Sequence, residues 1–246
     1  MGKLAGKSVI VTGAARGIGA AIAQSCVEGG ARVVVVDIDP HIEVVAGAIG
    51  ASAIVGDLTA EELAARTVAE TVDRHGSLDG LVNNAALVLE GDLLETDWDN
   101  WRRTMALNVE VPFAWSKAAI PAMLAAGGGS IVNVSSTEGI VARPNHFSYV
   151  TSKAALGGLT RSIAIDFGRR EIRCNSVSPG SIESERFREY VNDHPGLEED
   201  LISRNYRGRL GRPHEVAACC VYLLSDDSGF VNGADYIIDG GRTAGS

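Results

Sequence analysis

Disulfide and metal-binding patterns are missing from this sequence. Its four cysteines, Cys26, Cys174, Cys219 and Cys220, form no C-x-x-C pair and no cluster with the five histidines. This spacing argues against a disulfide framework and against a zinc site, so we expect no bound metal. Unpaired cysteines are typical of a reducing compartment, which predicts a cytoplasmic location.

Long apolar runs are also absent. No stretch approaches the roughly 18 to 20 consecutive apolar residues of a membrane-spanning helix. The first six residues, MGKLAG, lack the apolar core of a signal peptide, and Gly6 stands where a myristoylation motif requires serine or threonine. We therefore expect a soluble protein without a membrane segment or targeting leader.

Basic residues are outnumbered by acidic ones. The chain has 22 Lys and Arg against 31 Asp and Glu, a net charge of −9. Such a chain repels the phosphate backbone on which nucleic-acid binding depends, so a general nucleic-acid partner is disfavoured.

Proline is scarce and glycine abundant. Only 7 prolines accompany 29 glycines in 246 residues, a composition that is neither collagen-like nor that of a flexible low-complexity chain. The glycines must therefore serve backbone geometry. The length allows one large hydrophobic core or two small ones.

Short runs rich in β-branched residues alternate with longer segments of helical pattern. The runs predict strands at 8–12, 32–37, 52–57, 80–83, 130–135, 173–178 and 235–239. The run 33–36 is apolar on both faces, as a parallel sheet covered by helices requires. The alternation predicts a doubly wound α/β sheet, with helices on both faces, in a single domain over residues 1–246.

Two helix starts carry local signals. Thr59 and Glu62 have the spacing of a capping box, in which each side chain satisfies a free backbone amide of the other. Pro213 is suited to the first position of a helix, because its missing N–H needs no partner there.

The segment 181–211 departs from the alternation of strands and helices. Between Glu183 and Arg209 it contains seven acids and five arginines without a strand pattern. An insertion that follows the end of a strand is well placed to form a lid over the crevice there. A solvated surface excursion is the alternative interpretation, and we favour the lid.

A glycine-rich turn follows the first predicted strand. Gly13, Gly17 and Gly19 enclose Arg16 and Ile18, and a small, apolar helix begins directly afterwards. Such a turn lets the backbone approach a pyrophosphate, and the helix N-terminus supplies free N–H groups and a favourable dipole. Glycines alone would equally suit any tight strand-to-helix turn.

Asp37 strengthens the interpretation of that turn. It ends the second predicted strand, 18 residues after Gly19, where a carboxylate can accept hydrogen bonds from both adenosine ribose hydroxyls. Because it would repel a 2′-phosphate, NAD is favoured as cofactor over NADP. Arg16 is the opposing observation, since it could reach such a phosphate. A helix N-cap before Pro40 is the alternative role of Asp37.

Tyr149 and Lys153 are candidates for proton transfer. They lie four residues apart in a helix predicted to begin near Ser148, so they share one face. A nearby ammonium stabilises a phenolate, and we therefore expect the pKa of Tyr149 to be lowered from its ordinary value near 10. On its own, Y-x-x-x-K is an ordinary surface pair.

Several motifs together resemble the short-chain dehydrogenase/reductase family, over essentially the whole chain. They are T-G-x-x-x-G-x-G from Thr12, N-N-A-A at 83–86, Asn108, Ser136, Y-x-x-x-K at 149–153 and P-G at 179–180. The resemblance implies a Rossmann fold of about seven strands and an NAD(P)-dependent oxidoreductase that interconverts a secondary alcohol and a ketone.

The resemblance also implies the catalytic roles. Tyr149 would be the acid or base for the substrate oxygen, and Lys153 would hold the nicotinamide ribose and assist Tyr149. Ser136 would bind the substrate oxygen, and Asn108 would support a water chain that carries the proton to solvent. Ser136 is preferred to Ser135, which strand alternation turns to the other side. An ordinary polar helix residue is the alternative for Asn108.

Further cofactor contacts are implied by the resemblance. They are Asp57 and Leu58 at the adenine, Asn84 and Ala85 behind the adenosine ribose, and Pro179, Gly180, Ile182 and Ser184 at the nicotinamide. Ala86 stands where the family usually has glycine, a mild change if its φ is not positive. Ser184 replaces the threonine of many members and keeps its hydroxyl.

The substrate and the assembly are the least determined. Glu138, Asn145, His146 and the charged lid favour a polar small molecule such as a polyol, sugar or hydroxy acid. A 3-oxoacyl thioester or an apolar ketone such as a steroid is the alternative within the family, and a non-catalytic dinucleotide-binding protein is the alternative from another class. The resemblance implies a homotetramer built through helices near 98–126 and 149–168.

Overall fold

Within residues 2–245, seven parallel strands form one sheet in the order β3-β2-β1-β4-β5-β6-β7. The structure is a computed structural model that describes residues 2–245. The strands are β1 (Ser8–Thr12), β2 (Arg32–Asp37), β3 (Ser52–Val55), β4 (Gly80–Asn83), β5 (Gly129–Val134), β6 (Ile172–Pro179) and β7 (Asp235–Ile238). The strand order reverses between β1 and β4, which is the doubly wound Rossmann arrangement, so the predicted fold class is confirmed.

Helices cover both faces of the sheet. They are α1 (Gly17–Glu28), α2 (Ile42–Ile49), α3 (Leu63–His75), α4 (Trp98–Met105), α5 (Val111–Ala125), α6 (Phe147–Phe167), α7 (Glu185–Asn192), α8 (Leu197–Ser203) and α9 (Pro213–Leu224). A π-helical segment, Ala106–Glu110, joins α4 to α5.

Two hydrophobic clusters lie on opposite faces of the sheet. On β2, Val33 and Val35 belong to the cluster that includes residues of α1, α2 and α9, whereas Val34 and Val36 belong to the cluster that includes residues of α3, α5 and α6. All four valines are buried because side chains alternate between faces and each face has its own helical layer. The continuous apolar run predicted this double burial.

Some predicted boundaries were wrong. The third strand ends at Val55, because the carboxylate of Asp57 turns the chain by accepting hydrogen bonds from the N–H and hydroxyl of Thr59, at 2.9 and 2.7 Å. The predicted capping box of Thr59 and Glu62 does not form, because α3 begins only at Leu63, with Glu62 itself at the N-cap position and no side-chain cap. The fifth strand begins and ends one residue earlier than expected, and the seventh ends one residue earlier. Pro213 does occupy the first position of α9.

The segment 181–211 contains α7 and α8 and begins beyond the carboxyl end of β6. Its two ends are held together by a short parallel bridge, in which the N–H of Glu183 donates to the carbonyl of Gly211 at 2.8 Å. The segment is thus a closed excursion whose base is fixed to the sheet edge. Within residues 2–245, no helix combines the length and apolarity needed to cross a membrane.

Candidate active site

Two adjoining cavities lie at the carboxyl edge of the sheet. The larger, about 700 Å³, is lined by eleven of the predicted site residues: Gly13, Arg16, Gly17, Ile18, Gly19, Asp37, Asp57, Leu58, Asn84, Ala85 and Ser184. The smaller, about 490 Å³, is lined by Ser136, Tyr149, Gly180 and Ile182. Ile18 and Ser184 line both cavities, so the two spaces meet beside them.

At Gly13 and Gly19 the glycine turn packs too closely for a side chain. Gly13 has φ +66°, and a Cβ on it would lie 2.6 Å from Cα of Ala85. A Cβ on Gly19 would lie 2.1 Å from the carbonyl oxygen of Gly13. Gly17, at φ +61°, is the first residue of α1. The turn therefore leaves bare backbone at the N-terminus of α1, a cradle that fits a pyrophosphate.

Backbone amides hold the carboxylate of Asp37 beside the glycine turn. One oxygen accepts a hydrogen bond from the N–H of Ala15 and the other from the N–H of Asp39, both at 3.0 Å. Helix α2 begins only at Ile42 and has His41 at its N-cap position, so Asp37 does not cap that helix. A fixed negative charge thus stands in the wall of the larger cavity.

Asn84 ties the end of β4 to the glycine turn. Its side-chain amide donates to the carbonyls of Gly13 and Thr12, at 2.8 and 3.1 Å. Two residues on, Ala86 is not among the non-glycine residues with positive φ, which in the described chain are Asn145 and Glu171. The alanine therefore causes no backbone strain at the family's usual glycine position.

Helix α7, in the segment 181–211, contacts the glycine turn through two carboxylates. Oε2 of Glu185 accepts a hydrogen bond from the N–H of Gly17 at 3.0 Å. One helical turn later, Oε1 of Glu189 lies 3.6 Å from Nη1 of Arg16. Between them in sequence, Arg186 donates to the carbonyl of Ala86 at 3.2 Å. None of these contacts was predicted, since the charge-rich lid composition does not indicate which charges face inward.

Tyr149 and Ser136 come together from different elements. Tyr149 lies in the first turn of α6, and Ser136 follows the end of β5 by two residues. Lys153 lies one turn further along α6, is 3% exposed, and donates to the carbonyl of Val134 at 2.8 Å. Its Nζ is 5.6 Å from the centre of the Tyr149 ring. Ser135 turns away as predicted and donates to the Lys153 carbonyl.

The expected lowering of the Tyr149 pKa is wrong. Burial raises the pKa of Tyr149 to about 12, and the negative charge of Glu138 adds to the rise. A hydrogen bond with Ser136 and the positive charge of Arg186 oppose it without prevailing. Burial also lowers the pKa of Lys153 to about 8, so the same desolvation disfavours the charged form of both groups.

Asn108 is a fully buried connector within the π-helical segment. Its side-chain oxygen accepts from the N–H of Leu87 at 2.8 Å, and its amide donates to the Leu87 carbonyl and the Ser152 hydroxyl at 2.9 and 3.0 Å. It therefore fastens the loop after β4 to α6. It lines neither cavity, and its part in a proton-conducting water chain stays a prediction.

A charged cluster adjoins the catalytic pair. Oε2 of Glu138 lies 2.7 Å from Nδ1 of His146, and its Oε1 lies 3.6 Å from Arg143. The imidazole of His146 is 5% exposed and stands edge-on to the Tyr149 ring at 6.1 Å. All three charged or polar residues of this cluster line the smaller cavity, as the hypothesis of a polar substrate requires.

Of the predicted site residues at the end of β6 and just after it, some line a cavity and others support its wall. Gly180 and Ile182 line the smaller cavity, whereas Pro179 is buried at the end of β6 and lines neither. Ser184 is the N-cap of α7 and accepts a hydrogen bond from the N–H of Phe187 at 3.3 Å. Its hydroxyl hydrogen remains available for a ligand.

Sequence reasoning missed several residues that line the smaller cavity. They are Glu90, Arg186, Phe187, Tyr190, His194, Leu201 and Arg242. Most of them belong to the predicted lid, whereas Glu90 and Arg242 come from distant loops with no recognisable motif. In the part of the chain that the structure describes, no group of three or more His, Cys, Asp or Glu side chains could hold a metal ion.

Comparison with known proteins points to one family. The sequence profile described as "Enoyl-(Acyl carrier protein) reductase" matches residues 13–243. The 2,5-dichloro-2,5-cyclohexadiene-1,4-diol dehydrogenase of Sphingobium indicum is 41% identical, and the match covers 99% of this chain and 100% of that protein. The 2-keto-3-deoxy-L-fuconate dehydrogenase of Xanthomonas campestris pv. campestris is 38% identical over 97% of this chain and 81% of its own length.

A solved structure shares the whole fold. A crystal structure described as an NAD(P)-dependent gluconate 5-dehydrogenase from Beutenbergia cavernae, with NADP bound at low occupancy, superposes with a TM-score of 0.92. The two chains are 31% identical, and the superposition covers 98% of each.

Proposed function

This chain belongs to the short-chain dehydrogenase/reductase family, and we propose that it is an NAD-dependent oxidoreductase that interconverts a secondary alcohol and a ketone. One observation carries the proposal. Tyr149 and Ser136 line a cavity that opens directly into a second cavity built on the glycine turn and Asp37. A substrate oxygen and a dinucleotide could therefore meet at the junction of the two.

The larger cavity fits a nicotinamide dinucleotide. The backbone at Gly13, Gly17 and Gly19 and the N-terminus of α1 would hold the pyrophosphate. Asp37 would accept hydrogen bonds from the adenosine ribose, with Leu58 beside the adenine. When bound, the nicotinamide accepts a hydride from the alcohol carbon or returns one to the ketone.

Tyr149 would exchange the proton of the substrate oxygen. With a pKa of about 12, its phenol is protonated at neutral pH and is ready to donate to a ketone. The Ser136 hydroxyl accepts a hydrogen bond from the N–H of Glu138 at 3.1 Å and is hydrogen-bonded to Tyr149; a substrate oxygen that enters between Ser136 and Tyr149 would accept the Ser136 hydrogen as charge develops there. Lys153 would hold the nicotinamide ribose. Asn108 would position α6, the helix that carries Tyr149 and Lys153.

The preference for NAD rests on Asp37. The carboxylate lies where a 2′-phosphate would meet like charge, which favours the cofactor without that phosphate. Arg16 is already 3.6 Å from Glu189, so its charge is partly matched within the chain. Because the related structure contains bound NADP, the preference of this protein for NAD over NADP should be measured directly.

A polar substrate agrees with both the cavity and the relatives. Glu138, Arg143 and His146 line the wall beside Tyr149. Two named relatives are dehydrogenases of a sugar acid and a cyclic diol, and the description of the related structure names gluconate; all three are polar alcohols or ketones. We therefore propose a polyol, sugar or hydroxy acid as the substrate rather than an acyl thioester or an apolar ketone.

A substrate panel tests this function. Polyols, aldonates, hydroxy acids, acyl thioesters and steroids would each be assayed with NAD and NADP, following reduced nucleotide at 340 nm, a wavelength set by the cofactor. Tyr149→Phe should lower kcat by at least about 100-fold. It should also leave the NADH dissociation constant within about twofold, because the ring is kept and only the hydroxyl is removed.

A distant tyrosine supplies the control. Tyr222 lies on α9 and packs against Tyr236 at 6.2 Å, away from both cavities, so Tyr222→Phe should retain full turnover. Undiminished turnover of Tyr149→Phe would contradict the mechanism. A wild-type protein that binds NADH but oxidises or reduces none of the panel would support the non-catalytic alternative.

We also propose that the protein forms a homotetramer. Phe113 on α5 and Ile165 on α6 are 53% and 82% exposed, which suits helices that pack against other subunits. Light scattering after gel filtration would measure the mass, and a monomer would contradict the proposal. The cytoplasmic location stays a prediction from the cysteine pattern.

A further inference from the structure

The smaller cavity is basic in a chain of strongly acidic composition. Three arginines line it, Arg143, Arg186 and Arg242, against two glutamates, Glu90 and Glu138. The chain as a whole has a net charge of −9, so this local excess of positive charge runs against the average. A cavity of about 490 Å³ is large enough for a small substrate but not for a second dinucleotide.

Two of the three arginines already have partners. Arg143 lies 3.6 Å from Glu138 and donates to the hydroxyl of Tyr190 at 3.3 Å. Arg186 donates to the carbonyl of Ala86 at 3.2 Å. Both guanidinium groups are therefore used in fixing the cavity wall and the lid.

Arg242 differs from the other two. It is half-buried, and its side chain makes no hydrogen bond or ion pair with any residue in the range 2–245. The carboxylate of the neighbouring Asp239 accepts hydrogen bonds from the backbone. One oxygen accepts from the N–H of Gly241 at 2.8 Å and the other from the N–H of Thr243 at 2.7 Å. Asp239 thus shapes the turn that carries Arg242 and attracts its charge, but it forms no side-chain hydrogen bond or close ion pair with the guanidinium.

We propose that the substrate carries a carboxylate and that Arg242 binds it. The proposal rests on the dehydrogenase function above and narrows its substrate to hydroxy or keto acids. A half-buried guanidinium loses water, and that of Arg242 gains no side-chain hydrogen bond in return; a substrate carboxylate would supply those hydrogen bonds through a planar, two-point contact. Because Arg242 and Tyr149 line one cavity, the acid group and the reacting carbinol belong to the same small molecule.

Matched substrate pairs test the role of the carboxylate. Gluconate and trans-4-hydroxycyclohexanecarboxylate would each be compared with the corresponding primary carboxamide, which keeps the size and removes the charge. We expect the wild type to favour the acid of at least one pair by 10-fold or more in kcat/KM, a figure on the scale of one charge-assisted contact. Equal or better use of both carboxamides would overturn the proposal.

Variants then assign the effect to Arg242. Arg242→Gln should raise KM for the acid by about 10- to 100-fold with little change in kcat, leave the carboxamide unaffected, and be partly rescued by Arg242→Lys. Arg207→Gln is the control, because Arg207 is also an arginine without a side-chain partner in residues 2–245 but lines a different cavity. An equal loss for acid and carboxamide in Arg242→Gln would indicate a structural effect and overturn the assignment.

The same assay distinguishes a failure of the carboxylate proposal from a failure of the proposed dehydrogenase function. Oxidation of neutral diols but of neither acid overturns the carboxylate proposal alone and leaves the dehydrogenase function intact. Failure to turn over any acid, amide or diol with either nucleotide overturns both.

A second, independent observation concerns the lid. Glu185 and Glu189, on one face of α7, engage the N–H of Gly17 and the guanidinium of Arg16. These are two of the groups in the glycine turn that would otherwise contact the phosphates of a dinucleotide. The first contact joins residues 168 positions apart, so it fixes the lid directly to the cofactor loop.

We infer that Glu185 occupies part of the pyrophosphate site and must leave it when the dinucleotide binds. A carboxylate and a phosphate oxygen cannot both accept the single N–H of Gly17 at hydrogen-bond distance, and they repel each other. Nucleotide affinity is then reduced by the fraction of molecules in which Glu185 holds the site, and lid position is coupled to nucleotide binding.

Fluorescence titration with NADH tests this competition without requiring turnover. Glu185→Ala should lower the dissociation constant about 3- to 10-fold, a range set by a modest two-state bias between held and released lids. Glu199→Ala removes the same charge from α8 of the lid, where Glu199 is exposed and lines neither cavity, and should leave the constant unchanged. Weaker or unchanged binding by Glu185→Ala, or an equal gain in Glu199→Ala, would overturn the inference.

Discussion

Replacing Asp37 with asparagine tests the preference for NAD at the residue that is proposed to create it. The carboxylate is fixed by the N–H groups of Ala15 and Asp39, each at 3.0 Å, so its position does not depend on a bound nucleotide. Asparagine keeps the size and one acceptor oxygen while removing the charge. The variant therefore removes the negative charge of Asp37 together with one of its two backbone hydrogen bonds.

The size of the effect follows from Coulomb's law. A 2′-phosphate carries close to two negative charges, and contact with the Asp37 carboxylate would place the charges about 4 Å apart. Because Asp37 is only half-buried, a water-like dielectric constant of about 80 applies, and the repulsion is about 2 kcal/mol. Removing it should improve NADP or NADPH binding by roughly 30-fold.

Fluorescence titrations with NADH and NADPH would measure both dissociation constants in the wild type and in Asp37→Asn. We expect the constant for NADPH to fall by roughly 30-fold and that for NADH to rise a few-fold, because one acceptor for the ribose hydroxyls is lost. The ratio of kcat/KM for the two nucleotides should shift by the same factor once a substrate is known.

Asp39→Asn is the matched control. Asp39 lies two residues away, and its carboxylate accepts a hydrogen bond from the N–H of His41 rather than lining the cavity. It should change the NADPH constant by less than about threefold, since its charge is farther from the nucleotide. Tighter binding of NADPH than NADH by the wild type, or equal effects of the two substitutions, would refute the reasoning.

Three further predictions concern the fold and the cofactor cradle. The stability of the wild type should rise with pH between about pH 8 and 10.5, because the unfolded chain binds more protons there than the folded one. Lys153→Met should remove this rise, and denaturation across that range measures it. Trp115→Ala should cost about 3–5 kcal/mol in urea unfolding and Trp98→Ala almost nothing, since Trp115 is fully buried and Trp98 is 71% exposed. Gly19→Ala should abolish NADH binding in titrations, because its Cβ would lie 2.1 Å from a carbonyl oxygen, whereas Gly47→Ala, with open space around it, should not.

The fold was predictable because its determinants are local and repeated. The run 33–36 is apolar at every position, and each of its residues is buried on alternating faces between helical layers. Strand ends were less predictable, since they depend on single side-chain contacts. Asp57 turns the chain after β3 by accepting hydrogen bonds from Thr59, and α3 then begins only at Leu63, so Thr59 is not at the N-cap position that the capping box requires.

The site was predictable where one motif supplies both the residue and its position. The glycine turn and Asp37 lie at the ends of adjacent strands, so the sheet order brings them together. Arg242 and Glu185 had no such signal, because each reaches the cavities from a segment whose placement depends on the whole tertiary structure. The hydrogen bond between Glu185 and Gly17 spans 168 positions and joins a lid to a loop.

The pKa of Tyr149 shows why a pattern of residues was insufficient for the chemistry. The spacing of Tyr149 and Lys153 gives the sign of their interaction. A charged ammonium 5.6 Å from the ring centre would stabilise the phenolate if both groups kept their solvation. Burial acts on both partners at once, raising the pKa of the phenol to about 12 and lowering that of the ammonium to about 8. Between about pH 8 and about pH 12 the phenol and the amine are therefore both neutral, and the pair carries no charge. The groups that bias proton transfer are then those outside the motif: Glu138 acts against ionisation of the phenol, and Ser136 and Arg186 act in favour of it.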